Sequence, residues 1–309
     1  MIWEKKGLIY CANNDSKWKY QWSILPTPIL LNEDIIRVFI GFCDKNTVGR
    51  IGYIDLDARN PSKVLAISKD PVLDIGTDGS FDDNGVVPIS VLFNNSKLFL
   101  YYIGFQKGVK IPYYMFCGLA LGSKDLKEFR RYSKVPILDR TDDELFARCG
   151  VNVIFDTDDN LYKMWYIGSY KSGWTQSSGK LKPLYVMKYT YSEDGINWKN
   201  RSTQCMEFLN NDEHGFGRPF VWKKSGIFKM YFCIRTYSRG YYISYAESYD
   251  GIKWERKQDK CGIDLSDNGW DSENMSYPFL LRTKDDTFMF YNGNGCGKTG
   301  FGYAKLVEE

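Results

Sequence analysis

The sequence predicts an all-β chain folded as a single five-bladed β-propeller over residues 1–309, and two repeating patterns carry that prediction. The first is an aromatic strand that recurs about every sixty residues, in the segments 36–41, 98–104, 162–168, 228–234 and 288–293. Glycines at 41, 104, 168 and 293 stand 63 and 64 residues apart and then 125 across two repeats, which makes five units. The second pattern is the turn Ser-x-Asp-Gly-Ile-x-Trp, present at 192–198 and 248–254 after alternating strands, with a degraded copy at 120–129. Asp-Gly after such a strand signals a type I′ hairpin, because both central residues there need positive φ. The tryptophan that follows would open the outer strand.

Each unit then reads as an apolar strand, a polar turn, the aromatic strand, a third strand and an Asp-Gly turn. No unit holds the i, i+3, i+4 apolar spacing of an amphipathic helix. Four short strands per unit are the pattern of a propeller blade. A chain of immunoglobulin-like sandwiches would repeat nearer to every ~100 residues.

Composition agrees. The 23 Tyr, 19 Phe and 9 Trp suit a pleated, half-buried surface, and aromatic rings also stack on sugar faces. Net charge is +3 from 41 basic and 38 acidic residues, with no basic block, so nucleic acid is not an expected partner. The eight cysteines form no CxxC pair and only one histidine is present, which argues against a zinc site and for reduced, partly buried thiols. No run reaches transmembrane or signal-peptide length, so a membrane association is not expected and the chain reads as cytoplasmic. No GxGxxG follows a strand and the glycines at 300 and 302 lack Walker spacing, so no cofactor is expected. A homo-oligomer is compatible with the sequence.

In a propeller the loops entering the innermost strands gather at one mouth of the central channel, so chemistry is expected just before the first strand of each unit. Three such stretches, 83–88, 214–219 and 273–278, align on a proline and place Asp83, His214 and Glu273 five positions before it. The third unit offers Glu144 and Arg148 in the matching stretch, and Arg218 precedes the proline of the fourth. Asp83, Glu144 and Glu273 are therefore the catalytic candidates, since carboxylates flanking a sugar can serve as acid and base. Arg148, Arg218 and His214 would hold an anionic group. Each also has a plain structural reading, Asp83 and Glu273 as turn caps above all. Arg235 and Tyr237, Asn292 and Trp22 are weaker substrate-binding candidates: a solvated loop, a turn and a core tryptophan would explain them as well. The first unit, at 21–28, has no acid.

Strands ending Tyr-Ile-Gly, the Ser-x-Asp-Gly-Ile-x-Trp turns and the closing Gly-Phe-Gly-Tyr-Ala-Lys-Leu resemble the five-bladed propellers of glycoside hydrolase families 32, 43 and 68, over about residues 15 to 306. The segments 81–86, 269–273 and 291–294 are similar to a branch associated with bacterial surface-polysaccharide synthesis. The resemblance implies an Asp in blade one, an Asp in blade two and a Glu in blade three. Asp83 matches the second and Glu144 the third, whereas Gln21 or Ser23 stands at the first. That departure points away from plain hydrolysis. The branch also resembles the flavin-independent pyranose–furanose mutases of O-antigen precursor synthesis. It thus implies an isomerase acting at the anomeric centre of a CDP- or UDP-hexose, with a nucleotide sugar or glycan as its small-molecule partner. A family 43 or 32 type hydrolase or transglycosidase, and a non-catalytic sugar-binding propeller, are the alternatives.

Overall fold

A computed structural model describes residues 1–94, 97–123, 125–177 and 179–308; Lys124 of the degraded turn copy lies outside them. Among these residues the antiparallel ladders sort twenty strands into five sets of four. Strand β1 (Ile2–Tyr10) opens the chain. The first set is β2 (Gln21–Leu30), β3 (Ile35–Cys43), β4 (Gly49–Asp57) and β5 (Val64–Ile67). The second is β6 (Val86–Asn94), β7 (Lys97–Lys107), β8 (Tyr113–Gly122) and β9 (Phe129–Arg131). The third is β10 (Ala147–Asp156), β11 (Leu161–Ser177), β12 (Lys180–Ser192) and β13 (Thr203–Gln204). The fourth is β14 (Glu213–Lys224), β15 (Ile227–Thr236), β16 (Gly240–Ser248) and β17 (Glu255–Arg256). The last joins β18 (Ser276–Arg282), β19 (Thr287–Asn292) and β20 (Phe301–Glu308) to β1, which pairs antiparallel with β20. The chain's first strand thus completes its last set, a role that a single strand outside the repeat does not announce.

The aromatic strands of the sequence are the second strands of each set, and they are buried on both faces. In β7, Phe99, Tyr101 and Ile103 pack toward the third set, whereas Leu98, Leu100 and Tyr102 pack with Phe39 and Ile51 of the first. That is the two-residue period of a strand serving two interfaces at once. In the same way Ile36, Val38 and Ile40 meet Phe288, Phe290 and Tyr303 of the last set, and Tyr231 and Tyr245 meet Met289 and Tyr291. The hydrophobic clusters therefore close a ring, and the fold is a β-propeller.

The Ser-x-Asp-Gly turns lock neighbouring sets together. Tyr101 donates its hydroxyl to the Gly195 carbonyl at 2.8 Å, and Trp165 Nε1 donates to the Gly251 carbonyl at 2.6 Å. Their geometry differs from the expected two-residue hairpin. Only the glycine has positive φ (74° in both), and Asp194 Oδ1 accepts the N–H groups of Ile196 and Asn197 while Ser192 Oγ accepts that of Gly195. The outer strands are two residues each: β17 begins at Glu255, directly after Trp254, whereas β13 begins only at Thr203, well after Trp198.

Candidate functional site

The five inner strands, β2, β6, β10, β14 and β18, share one irregularity. Each shifts register against its partner near its start, between Ile24 and Thr27, Pro88 and Ser90, Cys149 and Asn152, Gly217 and Phe220, and Ser276 and Phe279. These are β-bulges, which re-aim side chains and tolerate a residue that cannot donate to the ladder. Pro26, Pro219 and Pro278 occupy the bulges, Pro88 flanks the one at Ile89, and the third set has Gly150-Val151 instead. Leu25, Gly150, Arg218 and Tyr277 take left-handed φ values of 60°, 62°, 28° and 59° there. For residues other than glycine that conformation is costly, and such strain concentrates at functional sites.

The bulges build the wall of a central cavity of about 280 Å³. The residue preceding the proline lines it in four sets, Leu25, Val87, Arg218 and Tyr277, and Gly150 takes the same place in the third. The rest of the wall is apolar (Ile24, Ile89, Ile103, Phe105, Met115, Phe216), apart from Tyr113, Tyr185 and Tyr241, the thiols of Cys149 and Cys296, and Arg235. Tyr113 and Tyr185 share a hydroxyl–hydroxyl hydrogen bond of 2.9 Å. Burial pushes the Tyr185 and Tyr277 phenols well above their usual range and the Cys149 thiol up to about 12, so all three stay neutral near pH 7 and act as hydrogen-bond donors rather than acids. Among the described residues no Asp or Glu lines the cavity.

The two arginines of this wall differ from four other buried or part-buried ones. Arg37 meets Asp55 at 2.8 Å, Arg131 meets Asp82 at 2.7 Å, Arg148 meets Glu144 at 3.1 Å and Arg256 meets Glu213 at 2.7 Å. Arg218 and Arg235 meet no carboxylate among the described residues. Arg218 is 2% exposed and crosses the channel, donating to Thr27 Oγ1 at 2.7 Å, the Ile89 carbonyl at 3.2 Å and the Tyr277 carbonyl at 3.3 Å. Its Nε stays buried without an acceptor, and burial pulls its pKa down to about 9. Arg235 is half-buried and lies 5.3 Å from the Tyr241 ring centre. A buried cation without an anion is costly, which makes this cavity receptive to one.

The structure places the remaining candidates elsewhere. Glu144 is 1% exposed behind the wall, where it accepts from Tyr166 Oη at 2.9 Å and lies 3.1 Å from Arg148 and 3.5 Å from Lys188. That arrangement repeats: Asp82 accepts from Tyr102 and pairs with Arg131, and Asp271 accepts from Tyr291 and pairs with Lys5. An acid in the entry loop, the tyrosine of the second strand and a cation thus form a latch in three sets, and Glu144 with Arg148 belongs to it. Asp83 is part-exposed and accepts the Gly79 N–H at 2.9 Å. Glu273 is exposed and its carboxylate has no partner among the described residues. Its neighbour Asn274 bonds two residues of the cavity wall, the Tyr241 carbonyl at 2.6 Å and the Cys296 N–H at 3.4 Å.

His214 is buried, bonded through Nδ1 to the Pro183 carbonyl at 3.1 Å and stacked on Tyr237 at 4.4 Å. Burial lowers its pKa, with Arg235 adding to that and the Pro183 bond opposing it, so the ring is neutral near pH 7. Asn292 is buried, its amide spent on the backbone of Ser23, Leu25 and Gly300. Trp22 is part-buried, φ 55°, with an unpartnered indole N–H, and is not in the wall. In the first set Gln21 donates to the Asp44 carbonyl and Ser23 Oγ accepts the Ala12 N–H. Of the ten candidates, Arg218 and Arg235 line the cavity. The tyrosines and thiols of the wall escaped the sequence reading; of them only Tyr277 stands in the recurring residue-proline pair. Among the described residues no His, Cys, Asp and Glu cluster suits a metal ion, and no helix is long and apolar enough to cross a membrane.

No protein-family model matches the chain. Two curated proteins of Mycobacterium tuberculosis, the uncharacterized proteins Rv1502 and MT1551, are each 32% identical over 306 residues, covering 99% of this chain and 99% of their own. Similar solved structures include a glycoside hydrolase (TM-score 0.75, 17% identity, 98% of this chain and 90% of that one). A thermostable family-43 glycoside hydrolase has a TM-score of 0.71 at 15% identity, covering 96% of this chain and 93% of its own. A member of the GH130 family, described as containing mannoside phosphorylases and glycoside hydrolases, has a TM-score of 0.71 at 13% identity, over 98% and 93%. At these identities the likeness is one of fold: the chain has the propeller of glycoside hydrolases.

Proposed function

The chain belongs to the family of the Mycobacterium tuberculosis protein Rv1502, and from that footing we propose that it is an enzyme acting at the anomeric centre of a nucleotide-linked sugar, a pyranose–furanose mutase. The observation that carries the reading is the pair Arg218 and Arg235, two guanidiniums that, among the described residues, have no carboxylate partner and stand in the wall of a cavity without an acid. Such a cavity favours an anionic sugar derivative over a neutral glycan. Its aromatic and aliphatic wall suits a sugar ring, and its volume lies near the lower end of small-molecule sites. Arg235, nearer the mouth, would take a phosphate of the nucleotide. Ring opening and reclosure need a proton donated to one sugar oxygen and removed from another, with no net addition of water. The phenols of the wall can hydrogen-bond those oxygens, and Glu273, exposed and unpartnered among the described residues beside Asn274, is the carboxylate free to exchange the proton. Asp83 is less free, and Glu144 is committed to its latch.

The test is to incubate the protein with CDP-, UDP-, GDP- and dTDP-hexoses and follow ring form by NMR. A furanose anomeric signal with the nucleotide still attached is the expected result. Free sugar instead would assign hydrolysis, the second reading, which the propeller shared with family-43 enzymes favours. Ligand binding without turnover in any mixture would leave a sugar-binding propeller and overturn the enzyme.

A further inference from the structure

The two unpartnered arginines stand at different depths. Arg235 is registered opposite Gly215, at the start of the inner strand β14, whereas Arg218 lies three residues further along that strand. At ~3.3 Å per residue the two levels are roughly 7–10 Å apart, the shorter figure allowing for the bulge between them. Arg218 is moreover the side chain that spans the channel, tied to the first, second and last sets through Thr27, Ile89 and Tyr277. The cavity therefore has one cation toward its mouth and a second at its floor, with aromatic and aliphatic wall between.

A nucleotide sugar entering with its diphosphate at Arg235 would project its hexose ring toward Arg218. A neutral hexose leaves that floor charge without an anion. Three of the five N–H groups of Arg218 are spent on neutral oxygens and Nε has no acceptor, so the charge itself is not balanced. We infer that the sugar carries an anionic group of its own on the side remote from the anomeric carbon, a carboxylate as in a uronic acid or a phosphate, and that Arg218 selects for it. This rests on the reading of the cavity as a nucleotide-sugar site and narrows its substrate to acidic sugars.

Titration calorimetry with matched pairs tests it: glucuronate 1-phosphate against glucose 1-phosphate, and UDP-glucuronate against UDP-glucose. The first pair removes any dependence on which nucleotide is preferred. The acidic member should bind at least about tenfold more tightly, as one charge-assisted contact predicts. Glucose 1,6-bisphosphate as a third ligand distinguishes the sources, because its tighter binding would assign phosphate rather than carboxylate. Arg218→Gln should erase the preference while retaining the neutral ligand, and Arg235→Gln should weaken both members alike. Because Arg218 also ties three sets together, the wild-type comparison decides even when that variant fails to fold. Equal affinity within each pair overturns the acidic-sugar inference and leaves the nucleotide-sugar reading standing. No binding of any of these ligands, nor of the wider nucleotide-hexose panel, overturns both.

Discussion

Asn292 Oδ1 accepts the backbone N–H of Leu25 at 2.7 Å, and its amide nitrogen donates to the Ser23 carbonyl at 2.6 Å and the Gly300 carbonyl at 3.0 Å. This one side chain holds the bulge of the first set against the last, where the ring closes. Asn292→Ala should strand these groups in a buried site and cost roughly 2–4 kcal/mol, since each orphaned polar group costs about 1–3. In urea the midpoint should fall with an unchanged m-value. A shift below about 0.5 kcal/mol would show that closure rests on the β1–β20 ladder alone.

Glu144 and Glu273 should separate stability from turnover. Glu144→Gln discharges a buried acid that compensates Arg148 and Lys188, and breaking such a pair typically costs about 3–5 kcal/mol. Thermal unfolding should show a large fall in midpoint. Glu273→Gln touches an exposed carboxylate, so stability should change by less than about 0.5 kcal/mol while turnover falls about 100-fold or more. Unchanged kcat in Glu273→Gln would remove it from the proton path.

The architecture was legible because it is written in repetition: the segments 36–41, 98–104 and 162–168 are strands buried on both faces, and such strands are largely apolar, with Arg37 and Lys163 admitted only as partners of Asp55 and Asp156. The site was legible only in register. The residue-proline pairs at 25–26, 218–219 and 277–278 mark the bulges, but a bulge is a relation between two strands and one strand's sequence does not reveal which residue it turns inward. Reading five positions upstream led to Asp83, His214 and Glu273 rather than to the wall. Nor does a sequence distinguish Glu144, paired and buried, from a free acid, because its partner Lys188 lies on another strand.

The Asp-Gly caps predict an acid sensitivity. Burial alone would raise the pKa of Asp194, but the N–H groups of Asn197 and Ile196, the Asn197 amide and the Ser192 hydroxyl outweigh it and bring the pKa from 3.8 to about 2. A carboxylate depressed in the folded state contributes stability above its unfolded value and loses it as the pH falls through the folded one. The contribution should therefore be complete above pH ~4 and fade toward pH ~2. Asp194→Asn keeps an acceptor oxygen but not the charge, so the gap in melting temperature between it and wild type should shrink between pH 5 and pH 2. A gap that stays constant over that interval would mean that the cap's charge contributes nothing.

Thiol labelling gives an independent view of the cavity. All eight cysteines are free, and six of them are buried; burial drives Cys43, Cys149, Cys233 and Cys261 up to about 12 and Cys117 well above its usual range. The reactive species is the thiolate, so these should react slowly in the native protein. Cys11 and Cys296 are the two that reach solvent, and only Cys296 lines the cavity, on a left-handed residue (φ 59°) beside the loop of Glu273. Under native conditions a maleimide should label these two first, as read by intact-mass and peptide mass spectrometry. A nucleotide sugar bound in the channel should then slow Cys296 at least fivefold and leave Cys11 unchanged. Equal protection of both would point to a general tightening of the fold, and protection of neither, at a ligand concentration shown to saturate, would place the ligand outside the channel.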